Sequence, residues 1–355
     1  MAFLPFAKVI PGGNATILID DADLSARALA SIAPELMSEN HLQAEQVGQI
    51  TRLEGPGPTH HLQMMGGEFC VNATRAAAAF LAFRGEMTPL PAASSAPLSG
   101  NDPKGCVFSL FTVSGEPAPL PVFAAPTEPA LFAALARFAG EERAFVPARP
   151  EVPVSTGRCQ WFTAARIPCA LASAAPMLPS PCEGVHCVRL PGITHLLIDT
   201  ALHGQPENHS WQRESARWRC AHEEGNEAAF GVIWYSRTEE GYSILPAVFV
   251  RATHSECLET ACGSASLAVA LLHRQAAPFC PAPLPILQPG GNTLAVLFCG
   301  NAAAWVIGPT LIAAHGMAWC NLLNMPEYLH NCHTHGKQFA SPPEGSISPT
   351  PPNAK

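Results

Sequence analysis

Apolar positions along the chain fall into short alternating or clustered runs, separated by Gly and Pro. Residues 6–20, FAKVIPGGNATILID, read as a strand, a Gly-Gly turn and a second strand. Ala22 to Met37 has helical spacing with an acidic start, and Val47–Leu53 reads as a strand. The run HHLQMMGGEFCVNATRAAAAFLAFRG predicts a strand that turns through Gly66 and Gly67 into an alanine-rich helix. Strands follow at Val107–Val113, Gln160–Ala164, Val188–Asp199, Phe230–Tyr235 and Tyr242–Val250. ECLETACGSASLAVALLHR is a second strand-to-helix unit. After Gln288-Pro-Gly-Gly comes a strand pair, Thr293–Phe298 and Ala303–Ile307, closing at Gly308-Pro309. Strands and helices mixed in this way predict an α/β (α+β) chain.

Two segments depart from the pattern. In residues 116–157, proline-rich flanks surround a short helix near Ala130–Phe138, which reads as a surface insertion. From about Ala314 the chain turns Pro-, Ser- and Asn-rich and ends SPPEGSISPTPPNAK, the composition of a disordered tail. The expected organisation is an N-terminal domain over 1–165 carrying the insertion, a C-terminal domain over 166–313, and a tail over 314–355.

Composition then narrows the function. A hydrophobic fraction of 48% with 14% charged residues fits a packed protein. A net charge of -8 with 20 Lys+Arg, and no basic stripe, argues against a nucleic-acid partner. The opening MAFLPFAKVIPGG lacks the regions of a signal peptide, and no run of ~18 apolar residues marks a membrane span. Thirteen cysteines, an odd number with no CxxC pair, read as reduced thiols of a cytoplasmic protein. Lysines occur only at 8, 104, 337 and 355, none placed as a Schiff-base residue, so no pyridoxal cofactor is expected. Cys320, His330, Cys332, His333 and His335 match no closed tetrahedral spacing, and no metal is expected.

An internal repeat carries the chemistry. Cys70-Val-Asn-Ala-Thr-Arg-Ala-Ala-Ala-Ala aligns without a gap to Cys262-Gly-Ser-Ala-Ser-Leu-Ala-Val-Ala-Leu, matching Ala73/Ala265, Thr74/Ser266, Ala76/Ala268 and Ala78/Ala270. Each cysteine follows a strand and opens a small-residue helix. A cysteine beside alanines at one helix start is ordinarily packing; two in register point to a pseudo-two-fold that brings both thiols to one cleft. Racemisation needs a base on one face of a carbon and an acid on the other, and two cysteines provide that pair. A helix start favours the thiolate, and its N–H groups at Val71-Asn72 and Gly263-Ser264 can grip a carboxylate.

The segments PGGNATILID, GGEFCVNAT and ETACGSAS resemble the diaminopimelate epimerase superfamily over most of residues 5–310. The similarity is closer to its histidine racemase branch of staphylopine-type metallophore synthesis. That rests on Pro11-Gly-Gly-Asn-Ala-Thr-Ile-Leu-Ile, Ala30-Ser-Ile-Ala, Glu45-Gln-Val-Gly, Gly67-Glu-Phe-Cys-Val-Asn-Ala-Thr, Cys159-Gln-Trp-Phe, Glu259-Thr-Ala-Cys-Gly-Ser and Gln288-Pro-Gly-Gly. The resemblance implies two pseudo-symmetric domains, each a curved mixed sheet wrapped around a central helix. It implies Cys70 and Cys262 as the cofactor-free acid/base pair. Asn14, Asn72, Gly263 and Ser264 would meet the amino and carboxylate groups of a small amino-acid substrate. His195 falls on a histidine of the epimerases' Asn-Pro-His stretch, and Glu45 and Glu259 become candidate partners for an imidazole or the substrate ammonium.

Three departures shift the expectation. Val71 and Ala265 replace glycines, and a valine does not readily take a positive φ. Thr253 and His254 stand where diaminopimelate epimerases carry the Glu-Arg pair that holds the far end of their substrate. Without that arginine a distal carboxylate lacks its bidentate partner, which favours histidine over diaminopimelate. Rival readings are diaminopimelate or another amino acid as substrate, and, kept open by Val71, a non-catalytic small-molecule-binding protein of the same fold. Phenazine-biosynthesis-like isomerases share the architecture but not the cysteine pair. Singly, Asn14 also reads as a turn residue, Glu45 and Glu259 as solvated carboxylates, and His195 as a core histidine. A homodimer is left open.

Overall fold

The structure is a computed structural model that describes residues 2–90, 106–138, 161–168, 177–190, 192–207, 209–222, 227–276, 282–299 and 303–320. The first run holds β1 (Ala2–Pro11), β2 (Thr16–Ile19), α1 (Ala26–Met37), β3 (Gln46–Arg52), β4 (His60–Met64) and α2 (Val71–Phe83). It continues through β5 (Thr88–Pro89), β6 (Val107–Val113), β7 (Glu116–Ala125), α3 (Glu128–Phe138) and β8 (Trp161–Pro168). The second run holds β9 (Met177–Cys182), β10 (Val185–Leu190), β11 (Ile193–Asp199), α4 (Thr200–His203), α5 (Trp211–His222) and β12 (Ala229–Arg237). It ends with β13 (Tyr242–Val250), β14 (Ser255–Leu258), α6 (Gly263–Ala276), β15 (Leu284–Leu287), β16 (Thr293–Cys299) and β17 (Ala303–Cys320). The fold is mixed α/β, and none of these helices is long and apolar enough to cross a membrane.

Strand pairing repeats along the chain. From β1 to β8 the successive partners β1–β2, β2–β3, β3–β4, β4–β6, β6–β7 and β7–β8 are antiparallel, parallel, antiparallel, parallel, antiparallel and antiparallel. The pairs β10–β11, β11–β12, β12–β13, β13–β15, β15–β16 and β16–β17 follow the same order. In both runs the second parallel step is bridged by the helix that follows a cysteine of the repeat. A parallel step needs a crossover, and a helix is its usual form.

The first run closes into a ring because β17 pairs with β8 on one side and with β1 farther along. Inside it runs α2, buried without interruption from Val71 to Leu81 and touching seven strands of the ring. A helix buried all round must be small to fit, which four consecutive alanines provide. Arg75 is fully buried there, donating to the carbonyls of Pro309 at 3.1 Å and Thr163 at 3.5 Å. Gly308 leaves it room: a Cβ at Gly308 would lie 2.7 Å from its guanidinium. In the second run, α6 packs on β10, β11, β12, β13, β16 and β17.

Three expectations are corrected. Glu116–Ala125, read as the start of a surface insertion, is the sheet strand β7, paired with both β6 and β8. Pro119 and Pro121 are odd-numbered, so their missing N–H groups fall on one edge, and β8 pairs only with Val122–Ala125 beyond them. The helix after it is core as well, since Leu131, Ala134 and Leu135 of α3 pack with Phe123 and Trp305. The disordered tail does not begin at Ala314: Ala314–Cys320 continues β17, passing through Gly308-Pro309 to pair with β1. Finally, Val188–Asp199 is not one strand but the end of β10 and all of β11, folded back at Gly192, whose φ is +72. The remainder of the expected insertion, 139–157, lies outside the described residues, as do His330, Cys332, His333 and His335.

Candidate active site

Both cysteines of the repeat line one cavity, where the starts of α2 and α6 meet. Cys70 is the N-cap of α2, extended at φ -125 and ψ 109, and its Sγ accepts from Ala73 N at 3.3 Å. Gly263 opens α6. A Cβ there would come within 2.9 Å of the Val71 Cβ and of Asn72 Oδ1, so the two helix starts touch backbone to side chain. Asn72 Nδ2 ties them by donating to Ala261 O at 2.7 Å. Its Oδ1 is buried in the cavity wall with no hydrogen-bond partner among the described residues. An orphaned buried acceptor calls for a donor from a ligand. Val71 is helical and takes no positive φ, so this site does not require the glycine it replaces.

Each thiol has a scaffold of buried amides behind it. The Cys70 thiol donates to Gln46 Oε1 at 2.9 Å, and Gln46 Nε2 donates to Asn14 Oδ1 and Thr16 Oγ1, both at 2.7 Å. Asn14 Nδ2 donates to Glu45 at 2.9 Å. Glu45, just before β3, also accepts from Thr260 N at 2.9 Å and lies against the Thr260 hydroxyl, which ties it to the segment before Cys262. Gly13 and Gly290 flank Thr260: its hydroxyl donates to Gly13 O at 2.7 Å and its carbonyl accepts from Gly290 N at 2.8 Å. The Cys262 backbone N–H donates to Gln288 Oε1 at 2.9 Å. Ser264 Oγ lies 3.4 Å from Cys262 Sγ and 2.9 Å from His195 Nε2.

The cavity is acidic. Glu45, Glu68 and Glu259 line it, and no Lys, Arg or His stands among the lining residues. Burial pushes the Glu68 carboxyl up to about 7 and, with Glu45 and Glu68 as neighbours, the Glu259 carboxyl up to about 8. Glu45 is raised by burial against the pull of its hydrogen bonds. The Cys262 thiol donates to Glu259, and its pKa is raised by burial first and by that carboxylate second. Cys70 is raised by burial and then by Glu259, although the Ala73 and Asn72 N–H groups pull it down. The helix start therefore acts in the expected direction, but burial and carboxylates outweigh it. Burial lowers His195 to about 3, so its imidazole is neutral.

Of the ten residues singled out from sequence, Cys70, Cys262, Glu45, Val71, Asn72, Glu259, Gly263 and Ser264 line the cavity. Asn14 and His195 do not: both are fully buried behind it, one holding Gln46 and Glu45, the other Ser264. Thr253 and His254 sit on the turn between β13 and β14, and His254 is exposed. Gln46, Glu68, Cys257 and Gln288 escaped the sequence reading. Three of them lay inside quoted motifs, but a buried amide or acid next to a site has no spacing of its own to mark it.

Residues 3–96 match the family described as the histidine racemase CntK N-terminal domain. A histidine racemase of Fusobacterium nucleatum subsp. nucleatum is 51% identical over 81 residues, which is 23% of this chain and 28% of that protein. A histidine racemase of Staphylococcus aureus is 44% identical over 72 residues, 20% of this chain and 26% of that protein. The chain thus spans little more than a quarter of the length of the curated relatives it matches. Among solved structures, a hydroxyproline epimerase from Agrobacterium vitis aligns with 90% of this chain and 91% of its own, at a TM-score of 0.52 and 9% identity. A predicted epimerase from Pseudomonas aeruginosa aligns with 88% and 98%, at 0.51 and 11% identity. At such identities the likeness is one of fold.

Proposed function

We propose that the chain is a cofactor-independent amino-acid racemase that interconverts L- and D-histidine by a two-base thiol mechanism in the cytoplasm. The observation that carries this reading is the meeting of two cysteine-bearing helix starts at one cavity. Cys262 rests as a thiol and becomes the base when its S–H proton passes to ionised Glu259, which it already faces; the thiolate then removes the Cα proton. Cys70, whose S–H is held by an amide that cannot take its proton, protonates the opposite face. The protonation states of the two thiols are then exchanged, and the reverse reaction starts from there. Charge developing on the substrate carboxylate is met by N–H groups at Gly263 and Ser264, and Asn72 Oδ1 accepts from the substrate ammonium.

An acidic cavity with no Lys, Arg or His among its described lining residues disfavours a distal carboxylate and suits an imidazole, which favours histidine over diaminopimelate. The family match over residues 3–96 supports the same substrate. In this reading the two runs are the lobes of a diaminopimelate epimerase-like fold, meeting near residue 165 and sharing β17, and the D-histidine serves opine-type metallophore synthesis. Incubation with L-histidine in deuterium oxide tests the activity: D-histidine forms with deuterium at Cα, and C70S and C262S each lose activity by about 100-fold or more. No exchange with histidine, any other proteinogenic amino acid or diaminopimelate overturns the enzyme reading; preference for diaminopimelate overturns the substrate. The raised thiols favour a second reading, a binding protein, which predicts saturable histidine binding without exchange.

A further inference from the structure

The three cavity carboxylates are not equivalent. Glu45 already receives Asn14 Nδ2 and Thr260 N, and Glu259 receives the Cys262 thiol. Glu68 is only 5% exposed and, among the described residues, its carboxylate is met by backbone N–H groups, that of Gly66 at 2.8 Å and its own. Met65, Val248 and Val250 give the cavity it lines an apolar side, and Glu259 and Cys70 stand within electrostatic reach of it. Gly66 brings that wall close: a Cβ there would lie 2.5 Å from Val250 Cγ1 and 2.6 Å from Glu68 Oε2. A carboxylate in a partly apolar cavity, with acceptor capacity left and no Lys, Arg or His among the described lining residues, matches a flat ring that carries one N–H on its rim.

We infer that Glu68 accepts the ring N–H of the substrate's imidazole and so selects it over side chains of similar shape that lack a donor. The inference rests on the racemase reading above and moves the imidazole partner from Glu45 and Glu259 to a residue two positions before Cys70. Two backbone donors leave part of a buried carboxylate's acceptor capacity unfilled, and the incoming N–H fills it, so the discrimination is built into the cavity wall.

The test compares KM for L-histidine with the inhibition constant of L-3-(2-thienyl)alanine, a ring of similar shape without an N–H, in the full chain, E68Q and E68D. In E68Q, KM for histidine rises about 10- to 100-fold while the thienylalanine constant moves by less than about 3-fold. E68D shows the same preference weakened to a smaller degree. Equal weakening toward both compounds, or an unchanged KM, overturns the assignment of Glu68 and leaves the racemase reading standing. Absence of histidine exchange in the unsubstituted chain overturns the racemase reading itself. Should E68Q fail to unfold cooperatively, E68D decides by the same pair of constants.

Discussion

At Cys70 the direction of the thiol hydrogen is inherited from residues that never reach the cavity. Asn14 and Thr16 take both donors of Gln46, which leaves its carbonyl turned to the sulfur. Asn14 was expected at the substrate, but it lies one layer behind the cavity lining. Glu68 was hidden for a related reason: only the fold removes water from a glutamate in GGEFC. That burial has a consequence for stability. In the unfolded chain Glu68 ionises near 4.5, and in the fold at about 7. Below about pH 4.5 it is neutral in both states, and stability falls as pH rises toward 7 because only the unfolded state releases the proton. Relative to wild type, E68Q therefore gains stability between about pH 5 and pH 7, and the gain levels off above. Thermal midpoints of the two proteins across that range check it; parallel curves would show that Glu68 ionises freely in the fold.

Between elements, the contact that matters most is Val71 against Gly263. Val71, where the resemblance led to an expected glycine, is met at the facing helix start by a glycine that opens α6. Replacing Gly263 by Ala crowds Val71 and Asn72 Oδ1 and should destabilise by about 1–3 kcal/mol, as overpacking does. V71G in the same chain should recover roughly half or more of that loss, an interaction a double-mutant cycle by denaturant unfolding detects. Additive losses would mean that the helix starts do not touch in solution. Elements with local signals were legible in the sequence. The strands Val107–Val113 and Tyr242–Val250 have the bounds their periodicity predicts, and both cysteines stand at helix starts as the repeat required. Elements defined by partners were not. β7 is proline-rich and alternates poorly, and it is a strand because β6 and β8 flank it. β15 is four residues that only β13 and β16 make a strand.

For the whole molecule, the repeat seen in ten residues around each cysteine extends to the order of strand pairings, yet the two runs are joined unequally. β17 leaves the second run beside β16 and completes the ring around α2 by pairing with β8 and β1. Residues about 303–320 therefore support Cys70 from the far end of the chain. A chain cut after Ile307 removes the β17 residues that pair with β1 and should lose cooperative unfolding, measurable by calorimetry, and with it, on the proposed racemase reading, the histidine exchange measurable by Cα deuteration. Retention of both would show that the ring holds without its last strand.

The same strand sets a schedule for synthesis. Ala2 pairs with Cys320, so β1 leaves the ribosome long before its partner exists. At ~5–20 residues per second that interval is about 15–60 s, during which one edge of the nascent sheet stays open. No nascent chain that stops short of β17 carries a closed ring, and no ribosome-bound half can work as a miniature of the whole.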